Sequence, residues 1–517
     1  MPQRRILFIK PPSLDMGDVA KGRKIHYGTI PYGILSIITY VNEYKSSNAV
    51  LSVLDLNVTP YEELEDYIRG YQPDVVGLSV MYNHIYPYIG KICDVVKGIN
   101  PDILVVAGGA CVMAYHEQIL QETQVDAIGY SEGEIPMLNL VDSFDMVDTL
   151  ETHVSFLTKK GLSSGKKAQA TFVENLDYIP LVDFSLIDLA KYNTKYEVFR
   201  PVDIPNEMCL PITTTRGCPY NCVFCIAGNL HGKKVRKASA GKVISDVKKM
   251  KEKYGMNTLS IEDDQLLIDR NRAKEMLRGF AELGIGLWMP SGFTISLIDS
   301  ETIGLLKPAG LQIATLPIES GSPYVLKEII DKPIRLNQVA DVIEQLQKEG
   351  ILCHANIIIG FPGETEAHRR ESVEFIKSSN VDWCYIFCAT ALKGSRLYDE
   401  CVEKGYIDTS KLMTDGYCTS NITTPDFTAE EITKKAYLMN LELNFVNNNR
   451  MRKGDFETAT KYFKYVVDKY PDHAFAHYFL SNCYCKGSYN KQSHILKYQE
   501  IINTNPEWKE YAEYFNL

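Results

Sequence analysis

The chain has 517 residues, a formal net charge of -10, and 45% hydrophobic against 23% charged residues. This is the composition of a globular protein of several domains, and it excludes a mainly disordered or fibrous chain. The acidic balance lacks the basic footprint of a nucleic-acid binder, and the sequence shows neither an apolar stretch of about 18 residues nor a signal peptide. We therefore expect a soluble, cytoplasmic protein with no membrane span and no nucleic-acid partner.

Short apolar runs alternate with segments of helical length through the first 145 residues. The predicted strands lie at 5–12, 51–57, 74–80, 103–109 and 125–134. The predicted helices lie at 32–45, 61–71, 85–98 and 113–122. Strands that are apolar on both faces and alternate with helices predict a parallel, doubly wound (Rossmann-like) sheet.

The carboxyl ends of these strands carry small residues, and ligands of such sheets bind at that edge. The ends read Pro11-Pro12, Ser79-Val80-Met81, Gly108-Gly109 and Ser131-Glu132-Gly133-Glu134. Glycines there let a bulky planar or phosphate-bearing ligand approach the backbone, or they merely form tight turns with no ligand. The GxGxxG fingerprint of dinucleotide-binding domains is absent from the sequence.

Three of the thirteen cysteines lie together, with Cys218, Cys222 and Cys225 in a Cx3Cx2C spacing. In a chain without an export signal, clustered cysteines point to metal or redox use rather than to disulfides. Three thiolates on one loop can hold three irons of a cubane cluster and leave the fourth iron open to another ligand. The alternative is a zinc site with His231 as the nearest further ligand, although no partner pair follows at zinc-ribbon spacing.

The sequence RGCPYNCVFC around these cysteines, with Phe224 before the last of them, resembles the radical S-adenosylmethionine (SAM) superfamily. Further motifs follow in order at 260–265, 317–322, 358–365 and 393–398. Together with the preceding domain, residues 1 to about 410 resemble the B12-binding subclass of that superfamily. The resemblance implies a [4Fe-4S] cluster whose open iron binds SAM, and cleavage of SAM to methionine and a 5′-deoxyadenosyl radical.

Residues 242–398 alternate strands and helices again, with one of the predicted helices at 323–329. This alternation predicts a partial (β/α)6 barrel over 208–398 with its site at the carboxyl ends of the strands. The SAM contacts implied by the resemblance are Phe224, Asp263, Asp264, Glu319, Ser320, Gly360 and Phe361. Two alternatives stay open. Glu319 and Ser320 either bind the ribose of SAM or belong to a helix cap, and the two aspartates either orient SAM or substrate or cap the helix that begins near Asp269.

The resemblance also implies that the N-terminal domain holds cobalamin. The implied contacts are Ser79, Met81, Gly108, Gly109 and Gly133. The DxHxxG motif that supplies a histidine to cobalt is missing, so we expect base-off cobalamin with no histidine ligand. Nearby His26, His84 and His116 are expected to be solvated or structural. The alternative is a vestigial domain that only supports the barrel.

The remaining segments are less patterned. We expect a linker at 146–207, an extension at 399–447 that contributes to the substrate pocket, and tetratricopeptide-like helices at 448–517 with a period of 35 residues. Those helices either bind a protein partner or pack on the barrel. Five other cysteines are expected to be buried apolar side chains rather than ligands of a second cluster: Cys353, Cys384, Cys388, Cys401 and Cys418.

The function implied by the resemblance is that of a cobalamin-dependent radical SAM methyltransferase acting on an unactivated carbon or a phosphorus centre. A cyclase, ring-contraction or rearrangement enzyme of the same subclass, or a non-catalytic iron–sulfur module, are the alternatives. The expected partners are a small-molecule or peptide substrate and a reductant such as flavodoxin or ferredoxin. S-adenosylhomocysteine among the products would distinguish methyl transfer from the alternatives.

Overall fold

The computed structural model describes residues 3–13, 29–192, 194, 201, 204–410, 419–484 and 489–517. His26 and Cys418 lie outside these ranges. No helix within the described ranges is both long enough and apolar enough to cross a membrane.

The N-terminal domain is built on a six-stranded sheet. Its strands are β1 Arg4–Lys10, β2 Ala49–Asp55, β3 Val75–Ser79, β4 Leu104–Gly108, β5 Ala127–Gly129 and β6 Phe156–Thr158. The order is β2-β1-β3-β4-β5-β6, and the first five strands are parallel. Ile6 and Phe8 pack into the core on one face of β1, while Leu7 and Ile9 pack into the core on the other. The predicted doubly wound sheet is thus confirmed.

Helices cover both faces of this sheet. They are α1 Tyr32–Tyr44, α2 Leu64–Tyr71, α3 Pro87–Ile99, α4 Ala110–Ala114, α5 His116–Glu122, α6 Glu134–Asp142, α7 Met146–Thr152 and α8 Lys159–Ser163. The segment expected to be a linker, 146–207, contributes α7, β6 and α8. Strand β6 pairs antiparallel with β5, and its Phe156 is fully buried. The sequence analysis placed these residues in the linker and did not predict β6.

The second domain has eight strands, six of them in parallel sheets. The strands are β7 Cys209–Ile212, β8 Thr215–Arg216, β9 Arg236–Lys237, β10 Thr258–Ile261, β11 Gly286–Trp288, β12 Ile313–Glu319, β13 Leu352–Ile359 and β14 Trp383–Cys388. Two parallel three-stranded sheets, β7-β10-β11 and β12-β13-β14, meet through a bridge between Leu287 and Leu311. This is the expected partial barrel. Strands β8 and β9 instead form a separate antiparallel pair, and we call residues 215–237 the cluster hairpin.

The helices of the barrel are α9 Ala227–Leu230, α10 Ala240–Tyr254, α11 Arg270–Leu283, α12 Ser300–Leu306, α13 Leu336–Lys348, α14 Glu366–Ser379 and α15 Arg396–Glu403. Within the predicted helix 323–329, residues 325–329 form a π-helical turn. Helix α13 was not predicted. Arg335 precedes it without a side-chain cap, so the usual start signal is missing, although Val339, Val342, Ile343 and Leu346 are buried at helical spacing.

The C-terminal region is helical and packs on the barrel. Its helices are α16 Ala429–Leu441, α17 Asn449–Arg452, α18 Phe456–Lys469, α19 Ala474–Cys483, α20 Tyr489–Thr504 and α21 Pro506–Tyr514. The ring of Tyr462 stacks on that of Trp383 in β14, with centroids 5.2 Å apart, and its hydroxyl lies 2.6 Å from Nε2 of His354. These contacts support packing on the barrel, while a tetratricopeptide-like partner site stays a prediction.

Four of the five further cysteines, Cys353, Cys384, Cys388 and Cys401, are buried in the core of the barrel. Burial raises the pKa of the Cys353 and Cys384 thiols, and it raises the pKa of Cys401 to about 12. They occupy the places of small apolar side chains.

One side chain closes the open edge of the barrel. The amide of Asn444 accepts a hydrogen bond from the Cys384 N–H at 2.8 Å and donates one to the Cys384 carbonyl at 2.7 Å. It thereby pairs the backbone N–H and carbonyl of Cys384, which lies in β14 at the edge of the sheet.

We expect Asn444→Ala to lower the free energy of unfolding by roughly 1–3 kcal/mol, because it leaves a buried N–H and a buried carbonyl without partners. Urea denaturation monitored by circular dichroism measures this. Asn447→Ala is the matched control, since within the described ranges no hydrogen bond joins that side chain to β14. Equal stability of the two variants would contradict the edge-closing role.

Candidate functional site

The cluster hairpin folds its cysteine loop through backbone contacts. Gly217 has a φ of +103°, and a Cβ there would lie 2.4 Å from the Lys234 carbonyl oxygen, so only glycine fits. The Cys218 N–H donates to the Gly232 carbonyl at 3.1 Å. Cys218 and Cys222 are half-buried and Cys225 is exposed. The three cysteines are therefore presented on one loop, as the spacing predicted.

Polar hydrogens point at two of the thiols. Nε2 of Gln265 lies 3.3 Å from Sγ of Cys218, and the Ala227 N–H lies 3.5 Å from Sγ of Cys225. Burial raises the pKa of Cys222 to about 11, so without a metal this thiol stays protonated at neutral pH. Within the described ranges, no three His, Cys, Asp or Glu side chains converge on a single metal ion.

The two predicted aspartates after β10 accept hydrogen bonds from the backbone that leads into the cysteine loop. Asp263 is buried and accepts hydrogen bonds from the hydroxyl and the N–H of Thr214 and, at 2.9 Å, from the Thr215 N–H. Asp264 accepts from the Gly217 N–H at 2.8 Å. The helix-capping alternative is wrong for both, since Asp269 itself caps α11.

Glu319 and Ser320 lie at the end of β12, each with a protein partner. Glu319 has a φ of +69°, rare for a residue with a side chain, and its carboxylate accepts from Nζ of Lys332 at 2.8 Å. The hydroxyl of the fully buried Ser320 accepts from the Ser322 N–H at 3.1 Å and lies 3.2 Å from the hydroxyl of Ser372. Ser320 thus holds the turn after β12, and no described side chain caps the helical turn at 325–329 that follows it. Lys332 is a site residue that sequence reasoning missed.

The predicted turn at Gly360 and Phe361 stands against the cluster loop. The fully buried ring of Phe361 lies 6.0 Å from that of Phe224. Gly360 has a φ of +90°, and its N–H donates to the carboxylate of Glu364, a residue the sequence analysis did not single out. Burial raises the pKa of Glu364 to about 7, although the Gly360 N–H and the charge of Arg369 act to lower it. Its Oε1 has no hydrogen-bond partner among the described residues.

A cleft opens at the carboxyl ends of β3, β4 and β5. It is lined by all five residues assigned to cobalamin, Ser79, Met81, Gly108, Gly109 and Gly133. Its opposite wall comes from the barrel side, with Thr213, Arg216, Glu262 and Asp264. The cleft therefore faces the start of the cluster hairpin.

Close packing requires glycine at two positions beside this cleft. Gly109 has a φ of +110°, and a Cβ there would lie 2.5 Å from the Val80 carbonyl oxygen. At Gly133 a Cβ would lie 2.5 Å from Cδ1 of Ile37. The two glycines thus let the chain pack closely at the carboxyl ends of the strands, and the mainly apolar lining of the cleft fits a large flat group such as a corrin.

The histidines near the cleft are engaged elsewhere. His84 stacks on Tyr82, and Nδ1 of His116 lies 2.8 Å from the Met113 carbonyl. Among described residues that line the cleft, the one histidine is His231, which belongs to the cluster hairpin and lies 3.4 Å from Glu132.

Sequence reasoning missed a buried ion network between the two domains. Arg216 pairs with Glu134 at 2.8 Å and with Glu132 at 3.1 Å, and Arg236 pairs with Glu132 at 2.9 Å. Burial alone would raise the pKa of Glu132, but hydrogen bonds from His231 and Arg236 and the charge of Arg216 lower it to about 2. The available signals were two carboxylates flanking a cleft glycine and an arginine directly before the cysteine loop.

Two family models match the chain: the B12 binding domain over residues 21–141 and the radical SAM superfamily over residues 212–376. Together they cover more than half of the chain.

Curated relatives extend over both domains. Cytidylyl-2-hydroxyethylphosphonate methyltransferase of Streptomyces wedmorensis is 25% identical over 412 residues, which are 74% of this chain and 77% of that protein. The anaerobic magnesium-protoporphyrin IX monomethyl ester cyclase of Rubrivivax gelatinosus is 25% identical over 379 residues, 71% of this chain and 66% of the cyclase.

Solved structures share the fold. The radical S-adenosylmethionine methyltransferase TsrM from Kitasatospora setae, with cobalamin and a [4Fe-4S] cluster bound, has a TM-score of 0.58 and 17% identity over 78% of this chain and 75% of its own. The cobalamin-dependent S-adenosylmethionine radical enzyme OxsB, with aqua-cobalamin bound, has a TM-score of 0.58 and 14% identity over 97% of this chain and 72% of its own.

The raised pKa of Glu364 predicts a pH-dependent stability. The pKa of Glu364 is about 7 in the folded state, against an ordinary value of 4.5. The protonated carboxyl therefore contributes its full stabilisation of the folded state below pH 4.5, and this contribution is lost as the pH rises through about 7. The difference corresponds to roughly 3 kcal/mol.

We therefore expect Glu364→Gln, which mimics the protonated form, to gain stability relative to the natural chain as the pH rises from 5 to 8.5. Thermal unfolding across that range measures the difference. Glu252→Gln, at an exposed position, controls for the loss of a surface carboxylate. A constant difference between the natural chain and Glu364→Gln would contradict a protonated buried carboxyl.

Proposed function

We propose that this chain, which belongs to the radical SAM enzymes with an N-terminal B12-binding domain, is a cobalamin-dependent methyltransferase that methylates an unactivated carbon or a phosphorus centre. It is an enzyme. The observation that carries the proposal is the shared cleft, with glycine-lined strand ends on one wall and the start of the cysteine loop on the other. Methyltransferases among its relatives agree with it.

When bound, the iron–sulfur cluster, SAM and cobalamin supply a 5′-deoxyadenosyl radical and a methyl carrier. We assign Cys218, Cys222 and Cys225 to the cluster, because these thiols share one loop. The strand ends at Ser79, Met81, Gly108, Gly109 and Gly133 are assigned to cobalamin.

The assignment of SAM contacts is refined by the partners of each side chain. Phe224, Gly360 and Phe361 form an apolar turn beside the cluster loop, suited to the adenine of SAM. Asp264 faces the cleft. Glu319, which pairs with Lys332 at the end of β12, is assigned to the ribose of SAM. Asp263 and Ser320 act through the backbone they hold, so we assign them positioning roles.

The second candidate is a cyclase or rearrangement enzyme without methyl transfer. The observation in its favour is the similarity to the Rubrivivax cyclase over 71% of the chain. Methyl transfer is preferred because methyltransferases are found among both the relatives and the solved structures of this fold.

The proposed partners are a small-molecule or peptide substrate and a one-electron donor of the flavodoxin or ferredoxin kind, with the cytoplasm as the compartment. The described parts of 146–207 and 399–447 are proposed to border the substrate site. The helices after residue 448 are proposed to act mainly in packing.

The products of SAM test the function. We expect the anaerobically reconstituted enzyme to form methionine and 5′-deoxyadenosine, and also S-adenosylhomocysteine, when supplied with reductant and cobalamin. The triple variant Cys218→Ala, Cys222→Ala, Cys225→Ala should lose the visible absorption of the cluster and form no 5′-deoxyadenosine. Cys483→Ala, a half-buried cysteine outside the hairpin, is the control.

A full cluster in the triple variant would contradict the assignment of the ligands. Formation of 5′-deoxyadenosine without any S-adenosylhomocysteine would favour the cyclase or rearrangement candidate.

The lower face of cobalt gives a further prediction. Because the N-terminal wall of the cleft presents no histidine among its described residues, we expect base-off cobalamin without an axial nitrogen. Electron paramagnetic resonance of the bound cob(II)alamin should then lack nitrogen superhyperfine splitting. If splitting is present, the prediction is wrong, and its persistence or loss in His231→Ala identifies whether the hairpin histidine supplies the nitrogen.

A further inference from the structure

The loop that follows β5 contacts both the cleft and the cluster hairpin. Residues 131–134, which we call the lip loop, line the cleft. The same loop touches the cluster hairpin, since the hydroxyl of Ser131 donates to the Leu230 carbonyl at 2.6 Å. Ser131 has a φ of +68°, a strained value for a residue with a side chain. Its contact with the hairpin therefore helps to hold the lip loop in shape.

Ion pairs join the lip loop to both strands of the hairpin. Arg216 lies in β8 and Arg236 in β9, and these two strands flank the cysteine loop at its two ends. Glu132 pairs with both arginines, at 3.1 Å and 2.9 Å. Glu134 pairs with Arg216 at 2.8 Å and also accepts from the hydroxyl of Ser36 in α1 at 2.9 Å. The hairpin is thus anchored to the N-terminal domain.

All four charged side chains are buried, with Glu134 and Arg236 each only 3% exposed. A buried charge that loses its partner is strongly destabilising, because water does not replace the lost interaction. Movement of the lip loop therefore requires movement of the hairpin, and the reverse.

We propose that Glu132 and Glu134 are positioning residues through which occupancy of the cleft fixes the hairpin that bears the cluster cysteines. The inference rests on the proposed binding of cobalamin in the cleft. A ligand there contacts the backbone at Ser131 and Gly133 and restricts the lip loop. The two carboxylates carry that restriction to Arg216 and Arg236, and so to both ends of the cysteine loop.

Hydrogen–deuterium exchange of the amides at 217–235 tests this in the full chain with its cluster, with and without hydroxocobalamin. In the natural chain, hydroxocobalamin should slow their exchange by roughly tenfold or more, the factor that corresponds to one charge-assisted hydrogen bond. In the double variant Glu132→Gln, Glu134→Gln, hydroxocobalamin should still bind, as its visible spectrum reports, while the slowing falls below about twofold.

Glu174→Gln is the matched control, because it removes an exposed ion pair with Lys234 of the same hairpin. It should keep the full protection by hydroxocobalamin. If the double variant does not fold, Glu134→Gln alone, which retains both pairs of Glu132, should show a partial loss of protection.

Equal protection in the natural chain and in the folded carboxylate variants, or bound hydroxocobalamin without any protection of 217–235 in the natural chain, would overturn the inference. Failure of the natural chain to retain hydroxocobalamin would instead overturn the proposed function. The two failures are therefore distinguishable.

Discussion

The arrangement of this protein depends on a set of charges buried where its two α/β domains meet. Glu132 and Glu134 follow the fifth strand of the N-terminal sheet, and Arg216 and Arg236 border the cysteine loop of the barrel. Burying such charges is costly unless each is paired and hydrogen-bonded. Here each is, so the domains are held in one relative placement, and the glycine-lined cleft opens toward the hairpin that carries the three cysteines.

Elsewhere in the site, polar side chains accept hydrogen bonds from backbone N–H groups of the loops around it. Asp263 and Asp264 bind the amides that lead into the cysteine loop, and Ser320 holds the turn after β12. Glu364 does the same for the turn at Gly360. The chain thereby builds a rigid frame around open space, which suits radical chemistry, because the reacting groups must be placed before a radical forms.

Local patterns predicted much of this structure, and non-local pairing explains what they missed. The buried strands of the N-terminal sheet, the barrel strands and the cysteine loop follow from runs and spacings within about a dozen residues. The partners of Arg216 and Arg236 lie 82 and 104 positions away. No periodicity links such residues. The sequence therefore showed Glu132 and Glu134 only as residues on either side of Gly133, and it did not indicate their arginine partners. The same limit hid Lys332 beside Glu319 and the antiparallel pairing of β6 with β5.

The arrangement described above places the cofactor cleft and the cysteine loop around one shared space. The most direct measurement is the electron-spin relaxation of the reduced [4Fe-4S] cluster in protein that also holds cob(II)alamin, compared with protein that holds the cluster alone. We expect faster relaxation or resolved splitting when the cluster and cob(II)alamin are both present, because both would border the cleft between Arg216 and the strand ends at Gly108 and Gly133. Two spectra that add without any change in relaxation would contradict it.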